Sequence, residues 1–361
     1  MRFGRAALTL GLCVSGLPLA AQEPPAAYMM ELRSAGQTET RALLRIDNTK
    51  LNPPQKSPKN EWIFEYIVSG YGRLVPGSPL NLRFRIFSQY RSSKNDLAIS
   101  ASRMLMRLWE FNIDKLRLDH TEATMKFVDL YLCYGGKAGG EQLFDKEMRQ
   151  GMAAMVNTMY IYDVTSFTDP LEMAREIAHE YGHATLPPVG GFVEPEEWAN
   201  GYLGEKLYLS WLAEELESER LGSNDAMGAP LDRIQAWVTA NVDPLAKAVR
   251  DQGPNRALLV RKTKAAMDAY LGVALWVERV MPSEMFSRSM VLNTSESATG
   301  FAKSAAEVAS EQKWEYSGAS IGSKIWLPVG TAKLKGAKVL KLVEGWAQVQ
   351  VTAPKVEITP R

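Results

Sequence analysis

Five residues near the middle of the chain, His179-Glu180-Tyr181-Gly182-His183, have types and spacing suited to a catalytic metal site. On a helix, residues four apart face the same way, so both imidazoles can reach one ion through neutral ring nitrogens. Glu180 lies about 100° further round the helix and would point at the ion's water rather than at the ion. Only three histidines occur in 361 residues, so two of them at this spacing around a glutamate are poorly explained as incidental groups on a solvated helix. A catalytic zinc site takes three protein ligands and leaves a fourth position for water. A third donor is therefore required.

The local sequence predicts the helix that the motif needs. Asp169-Pro170-Leu171-Glu172 supplies an N-cap, a proline at the first helical position and a glutamate three residues after the cap. Pro187-Pro188 stops the helix. A third histidine six residues beyond the motif would fall at Val189, and His120 lies upstream, so a downstream carboxylate is the expected ligand. The candidates are Glu194, Glu196, Glu197 and Glu205. Pro195 is expected to open a second helix with Glu196 and Glu197 in its first turn, where negative charge suits the helix dipole without any metal. Glu205 has no such reason to be charged, because it interrupts an apolar stripe, Trp198, Tyr202, Leu209, Leu212 and Leu216. A carboxylate among apolar groups is costly unless a cation or hydrogen bonds satisfy it. Glu205 is therefore the expected third ligand, against the alternative of a core-edge glutamate paired with a basic side chain. Gly201 and Gly204 would let its helix approach the first closely.

The flanking elements read as an α+β chain. Residues 1–21 form a signal peptide and 22–92 a β-rich segment with strands expected over Trp62–Val68 and Leu80–Phe87. A helix follows over Leu97–Phe111, then a strand over Lys126–Cys133, a glycine-rich loop over 135–140, a short helix around Glu147–Met155 and a strand over Thr158–Val164. Helices dominate from Asp169 to about Ala309, so residues 93–312 form a catalytic core and helical subdomain, and 313–361 a small β module. That module pairs Lys338–Leu342 with Trp346–Val351 around Glu344-Gly345, faintly resembling a bacterial SH3-like domain. Its excess of basic residues reads as a solvated face. Trp237, Met267, Tyr270, Trp276 and Met281 fall at helical spacing and read as core.

His179-Glu180-x-x-His183 with Glu205 following 22 residues later on a second helix resembles the gluzincin branch of the zincin metallopeptidases. The resemblance spans roughly residues 80–216. It implies a zincin-like catalytic domain in which the motif helix packs beneath the sheet and the last strand, Thr158–Val164, lines the cleft. It also implies a zinc-dependent metallopeptidase, a hydrolase, with His179, His183 and Glu205 as metal ligands and Glu180 as general base. The thermolysin-like pattern has an aspartate four residues after the ligand glutamate; here that position is Leu209. A second donor for the oxyanion is open among Tyr202, Tyr208, Tyr270 and His120. The cleft strand would hold a peptide or protein substrate through main-chain hydrogen bonds. The alternative is a non-catalytic exported binding or scaffold protein with a zincin-like core.

Composition narrows the partners. Forty-two Lys plus Arg against 41 Asp plus Glu give a net charge of +1, which offers no footprint for nucleic acid. Arg2 and Arg5 precede an apolar run, Ala6–Leu19, ending in Leu19-Ala20-Ala21, the pattern of a cleaved secretory signal and of an exported, periplasmic or extracellular, protein. The run falls short of the roughly 20 apolar residues that span a bilayer, so no stable membrane span is expected after cleavage. Of the two cysteines, cleavage removes Cys13 and leaves Cys133 without an intrachain partner.

Overall fold

The structure, a computed structural model, describes residues 27–34, 37–54, 56, 63, 65–71, 81–89, 97–118, 128–149 and 152–361. The signal segment, Cys13 and His120 lie outside the described residues. The chain is a mixed α+β protein that divides into two compact units, the first comprising residues 1–110, 119–184 and 222–229, the second residues 111–118, 185–221 and 230–361. Among the described residues no helix is long and apolar enough to cross a membrane.

The first unit contains β1 (Ala27–Ser34), β2 (Gln37–Asp47), β3 (Glu65–Tyr71), β4 (Asn81–Ser88), α1 (Leu97–Phe111), β5 (Val128–Leu132), β6 (Gly139–Arg149), β7 (Met152–Tyr162) and α2 (Pro170–Thr185). Its seven strands make one sheet in the order β1-β2-β3-β4-β5-β7-β6. β1 to β4 form an antiparallel meander. β4, β5 and β7 are parallel, so the chain must cross over between them, and α1 makes the first crossover. All five residues of β5 are buried, as a central parallel strand covered on both faces requires.

The sheet's two faces differ. One carries Phe84, Ile86, Leu130, Met159 and Ile161, all fully buried, and α2 packs on it with the rings of Tyr181 and Phe84 5.7 Å apart. The other carries a stack of rings, Phe87 on Tyr131 at 4.6 Å, Tyr131 on Tyr160 at 5.1 Å and Tyr160 on Tyr162 at 5.9 Å. Ile63 and the buried Cys133 complete that second core. Arg85 and Asp129 form a two-bond ion pair, 2.7 and 2.5 Å, on neighbouring strands.

Four sequence expectations change here. The expected helix at Glu147–Met155 is instead the distal end of the β6/β7 hairpin, with Glu147 opposite Ala154. Alanine and methionine favour a helix in isolation, but cross-strand pairing decides strand propensity. The glycine-rich loop is shorter than expected, since Gly139 and Gly140 already pair with Tyr162 and Ile161. Consequently β7 is interior and β6 is the edge strand, not the strand over Thr158–Val164. In addition, the sheet runs through the expected boundary at residue 92, because β4 pairs with β5.

The second unit contains α3 (Asn200–Glu217), α4 (Leu231–Asn241), α5 (Asp243–Gln252), α6 (Arg256–Leu259), α7 (Lys264–Val280), α8 (Ser283–Val291) and α9 (Ala298–Val308), followed by β8 (Trp314–Tyr316), β9 (Lys324–Pro328), β10 (Lys333–Lys335), β11 (Ala337–Val343), β12 (Trp346–Val351) and β13 (Val356–Thr359). Met267, Tyr270, Trp276 and Met281 are buried, while Trp237 is half-buried. The last six strands form two small sheets, β10-β13-β8 and β11-β12-β9. Glu344 and Gly345, at φ 47° and 81°, make the two-residue turn of the β11/β12 hairpin, a backbone that suits glycine. Two indole N–H groups tie these strands to the helices: Trp276 donates to the Trp326 carbonyl at 2.7 Å and Trp346 to the Ala302 carbonyl at 2.9 Å. The expected β module is thus part of the second unit's core.

Candidate metal centre

α2 begins as its sequence dictates. The Asp169 carboxylate accepts the Leu171 amide hydrogen at 3.0 Å, Pro170 opens the helix, and the helix ends at Thr185, two residues before Pro187. Leu171, Ala174, Ile177, Ala178 and Tyr181 are buried, and His179 and His183 lie four apart on the half-exposed side. Their Nε2 atoms are 3.1 Å apart and their ring centroids 4.8 Å apart. Two nitrogens held about 2.0–2.1 Å from one tetrahedral zinc ion would be separated by roughly 3.3 Å. The pair therefore fits a shared ion with little rearrangement.

Glu180 is buried, and the reason it can be is Gly140. A Cβ at position 140 would lie 2.6 Å from Glu180 Cγ and 2.7 Å from Oε1. Only a residue without a side chain lets the carboxylate lie against the edge strand β6. One residue earlier, a Cβ on Gly139 would come within 3.7 Å of Glu176 Oε1, so this glycine pair faces one flank of the motif helix. The last turn of α2 is tied to the same strands: Asn157 Nδ2 on β7 donates to the Ala184 carbonyl at 2.8 Å, and Gln142 Nε2 on β6 donates to Asn157 Oδ1 at 2.8 Å. Gly140, Gln142 and Asn157 thus belong to the machinery that positions the motif. Sequence reading passed over them; the glycine pair was the visible signal and was read as a loop.

The acidic candidates lie in the second unit. Residues 187–199 form no helix, contrary to the expected start at Pro195, and α3 begins only at Asn200. The segment is instead an internally hydrogen-bonded loop, with the Phe192 amide donating to the Glu197 carbonyl at 3.2 Å and the Ala199 amide to the Val189 carbonyl at 2.8 Å. The helix-dipole account of Glu196 and Glu197 therefore falls. Glu194 and Glu197 are exposed and Glu196 is half-buried. Glu205 sits on α3 and is only 3 % exposed, with Lys206 Nζ 4.0 Å from its Oε2.

The expected oxyanion donors separate by environment. The Tyr208 hydroxyl donates to Asn112 Oδ1 at 2.8 Å and lies 3.1 Å from Thr185 Oγ1, wholly buried. Tyr270 is buried edge-on to Phe301 at 5.7 Å. Burial holds both phenols above the ordinary tyrosine range. Both are core side chains. Tyr202 is half-buried with the Lys206 ammonium 5.4 Å from its ring centroid.

Comparison of the chain with protein-family models, curated proteins and solved structures finds no match.

Proposed function

We propose that this chain is an exported zinc-dependent metallopeptidase. The observation that carries the reading is the pair of imidazole Nε2 atoms 3.1 Å apart on α2, with Glu180 on the same helix and lodged against β6, the outer strand of the sheet among the described residues. A site that only stabilises a fold normally closes its fourth position with Cys or His and has no use for a buried carboxylate beside the ligands. His179 and His183 would hold the ion, and a glutamate would complete the set. Glu196, half-buried in the loop before α3, is preferred as that third ligand because Glu205, the choice made from sequence and its rival, already has the Lys206 ammonium beside it.

Zinc, when bound, would supply a Lewis acid that lowers the pKa of its water to about 7 and polarises a carbonyl. The chain's own residues do the rest. Glu180 takes a proton from the attacking water on its carboxylate and returns it to the leaving amine. Its position against Gly140 fixes the carboxylate's direction, so the proton acceptor is set before substrate arrives. β6, the outer strand of the sheet among the described residues, would offer main-chain N–H and C=O groups to an extended peptide. Main-chain recognition gives affinity with weak side-chain selectivity, which suits a peptide or protein substrate.

The test is a pair of measurements on the mature protein. Reconstituted protein should hold one zinc per chain and cleave members of a diverse peptide library. Glu180→Gln should keep the zinc and lose at least ~10²-fold in cleavage rate. Zinc-loaded protein that cleaves nothing would leave the non-catalytic scaffold as the better reading.

A further inference from the structure

We propose that β11, in the second unit, is a docking edge that takes an extended segment of another protein as an added strand, a segment in which acidic and aliphatic residues alternate. β11 ends the sheet β11-β12-β9, so among the described residues only one of its edges is paired. A strand with an open edge presents main-chain N–H and C=O groups on which a further strand can form.

Pairing with β12 assigns each side chain of β11 to a face. Val339 and Leu342 lie opposite Val349 and Ala347, and Ile325 and Leu327 of β9 continue the same face. Those four partners are buried, yet Val339 is 47 % and Leu342 58 % exposed. The apolar face of this sheet thus outruns its cover at β11. A regular strand would send residues 339 and 342 to opposite faces, because side chains alternate with a period of two. The irregularity between Val339 and Lys341, which leaves Leu340 unpaired, brings both to one face. Lys338 and Lys341, opposite Gln350 and Gln348, take the other.

Charge selects the occupant. β11 contains no acidic residue, and among the described residues no carboxylate pairs with Lys338 or Lys341. The acids nearby in sequence are committed, Glu344 to Arg256 and Glu357 to Lys335 and Lys313. A second copy of β11 is a poor occupant, since it would crowd the lysines of both strands onto one junction without an acid between them. A bilayer surface meets one side of a strand, whereas the apolar and basic side chains of β11 lie on opposite faces. An added strand alternating acidic and aliphatic residues satisfies both faces at once. Its carboxylates reach Lys338 and Lys341, and its aliphatic side chains cover Val339 and Leu342.

Fluorescence-anisotropy titration of the full-length mature protein with a labelled peptide of alternating Glu and Val tests the proposal, with a Lys-and-Val peptide and anionic phospholipid vesicles as further probes. Saturable one-to-one binding of the acidic peptide is expected, weakening as salt rises, with hydrogen exchange slowed at the amides of β11. Lys338→Glu combined with Lys341→Glu should weaken that binding at least about tenfold and admit the Lys-and-Val peptide instead. Leu342→Ser should weaken it roughly threefold. All three side chains are exposed, so the variants should fold, which circular dichroism checks. No saturable binding of the acidic peptide, equal affinity for both peptides, unchanged affinity in the charge-reversed variant, or exchange unaltered at β11 would overturn the proposal. Vesicle binding that the acidic peptide does not displace would give the surface to lipid, and dimerisation abolished by Leu342→Ser would give it to a second copy; either would overturn it as well.

Discussion

α2 and α3 are sixteen and eighteen residues long, and each buries a glutamate, 4 % exposed at Glu180 and 3 % at Glu205. They bury it by different means. α2 is amphipathic, and its glutamate is accommodated because the facing strand has no side chain at Gly140. α3 is buried on nearly all sides from Asn200 to Ala213, and its glutamate lies beside an adjacent ammonium, Lys206, at 4.0 Å. A buried carboxylate is therefore not by itself a mark of metal ligation. The first is given a shaped place beside two convergent imidazoles, and the second has a structural partner on its own helix.

The strongest break of this contrast is removal of an imidazole. His183→Ala should lower zinc affinity by more than the roughly 10–100-fold that loss of an outer-sphere partner costs, and cleavage should fall with it. Competition with a chromophoric chelator measures the affinity. Unchanged zinc content in His183→Ala would end the metal reading of α2.

Next in size is the choice of carboxylate. Glu196→Ala is expected to weaken zinc binding more than Glu205→Ala, with Glu194→Ala and Glu197→Ala close to wild type, since both are exposed. Glu205→Ala should show itself first as lost stability, because it strips Lys206 of a nearby carboxylate. The reverse ranking would return Glu205 to the metal and erase the difference drawn between the two helices.

Gly140→Ala sharpens the account of α2 alone. The added methyl group would meet Glu180 at 2.6 to 2.8 Å, so the carboxylate must move while the imidazoles stay. Displacing a catalytic group by about 1 Å can cost on the order of 10²-fold. Peptide cleavage should thus fall by roughly ten- to a hundredfold with zinc retained. Full activity in Gly140→Ala would show that the sheet edge does not hold Glu180 in place.

What the sequence disclosed follows the same division. The bounds of α1, the cap and stop of α2 and the turn at Glu344-Gly345 were legible because each rests on local chemistry: a 3.6-residue period, an aspartate before a proline, a residue pair able to take positive φ. The β6/β7 hairpin was not, because Ala153, Ala154 and Met155 favour a helix and only pairing with Met148, Glu147 and Lys146 makes them a strand. The loop before α3 was misread for a related reason. Pro195 followed by two glutamates imitates a helix start, while the bonds from Phe192 to Glu197 and from Ala199 to Val189 hold that stretch as a loop. With those two errors went the edge strand and the environment of the acidic candidates, both of which depend on contacts between residues far apart in sequence.

The smallest expected effect concerns Asn157, which is 6 % exposed and ties α2 to the sheet. Its amide nitrogen serves the Ala184 carbonyl, one of the orphan acceptors at a helix C-terminus, and its oxygen receives Gln142. Asn157→Ala removes both bonds and leaves a carbonyl and an amide in need of partners, at about 1–3 kcal/mol of stability. Asn157→Asp should give no rescue at neutral pH, since its carboxylate can accept from Gln142 but sets a second oxygen against the Ala184 carbonyl and buries a charge. Urea denaturation would rank wild type above both variants, with Asn157→Asp no more stable than Asn157→Ala. Cleavage by Asn157→Ala at saturating zinc should fall less than in Gly140→Ala, because the last turn of α2 loosens while Glu180, one turn earlier, keeps its seat against Gly140. If instead Asn157→Ala abolished activity at unchanged stability, Asn157 would have to touch substrate, and the sheet would supply a catalytic group as well as a support.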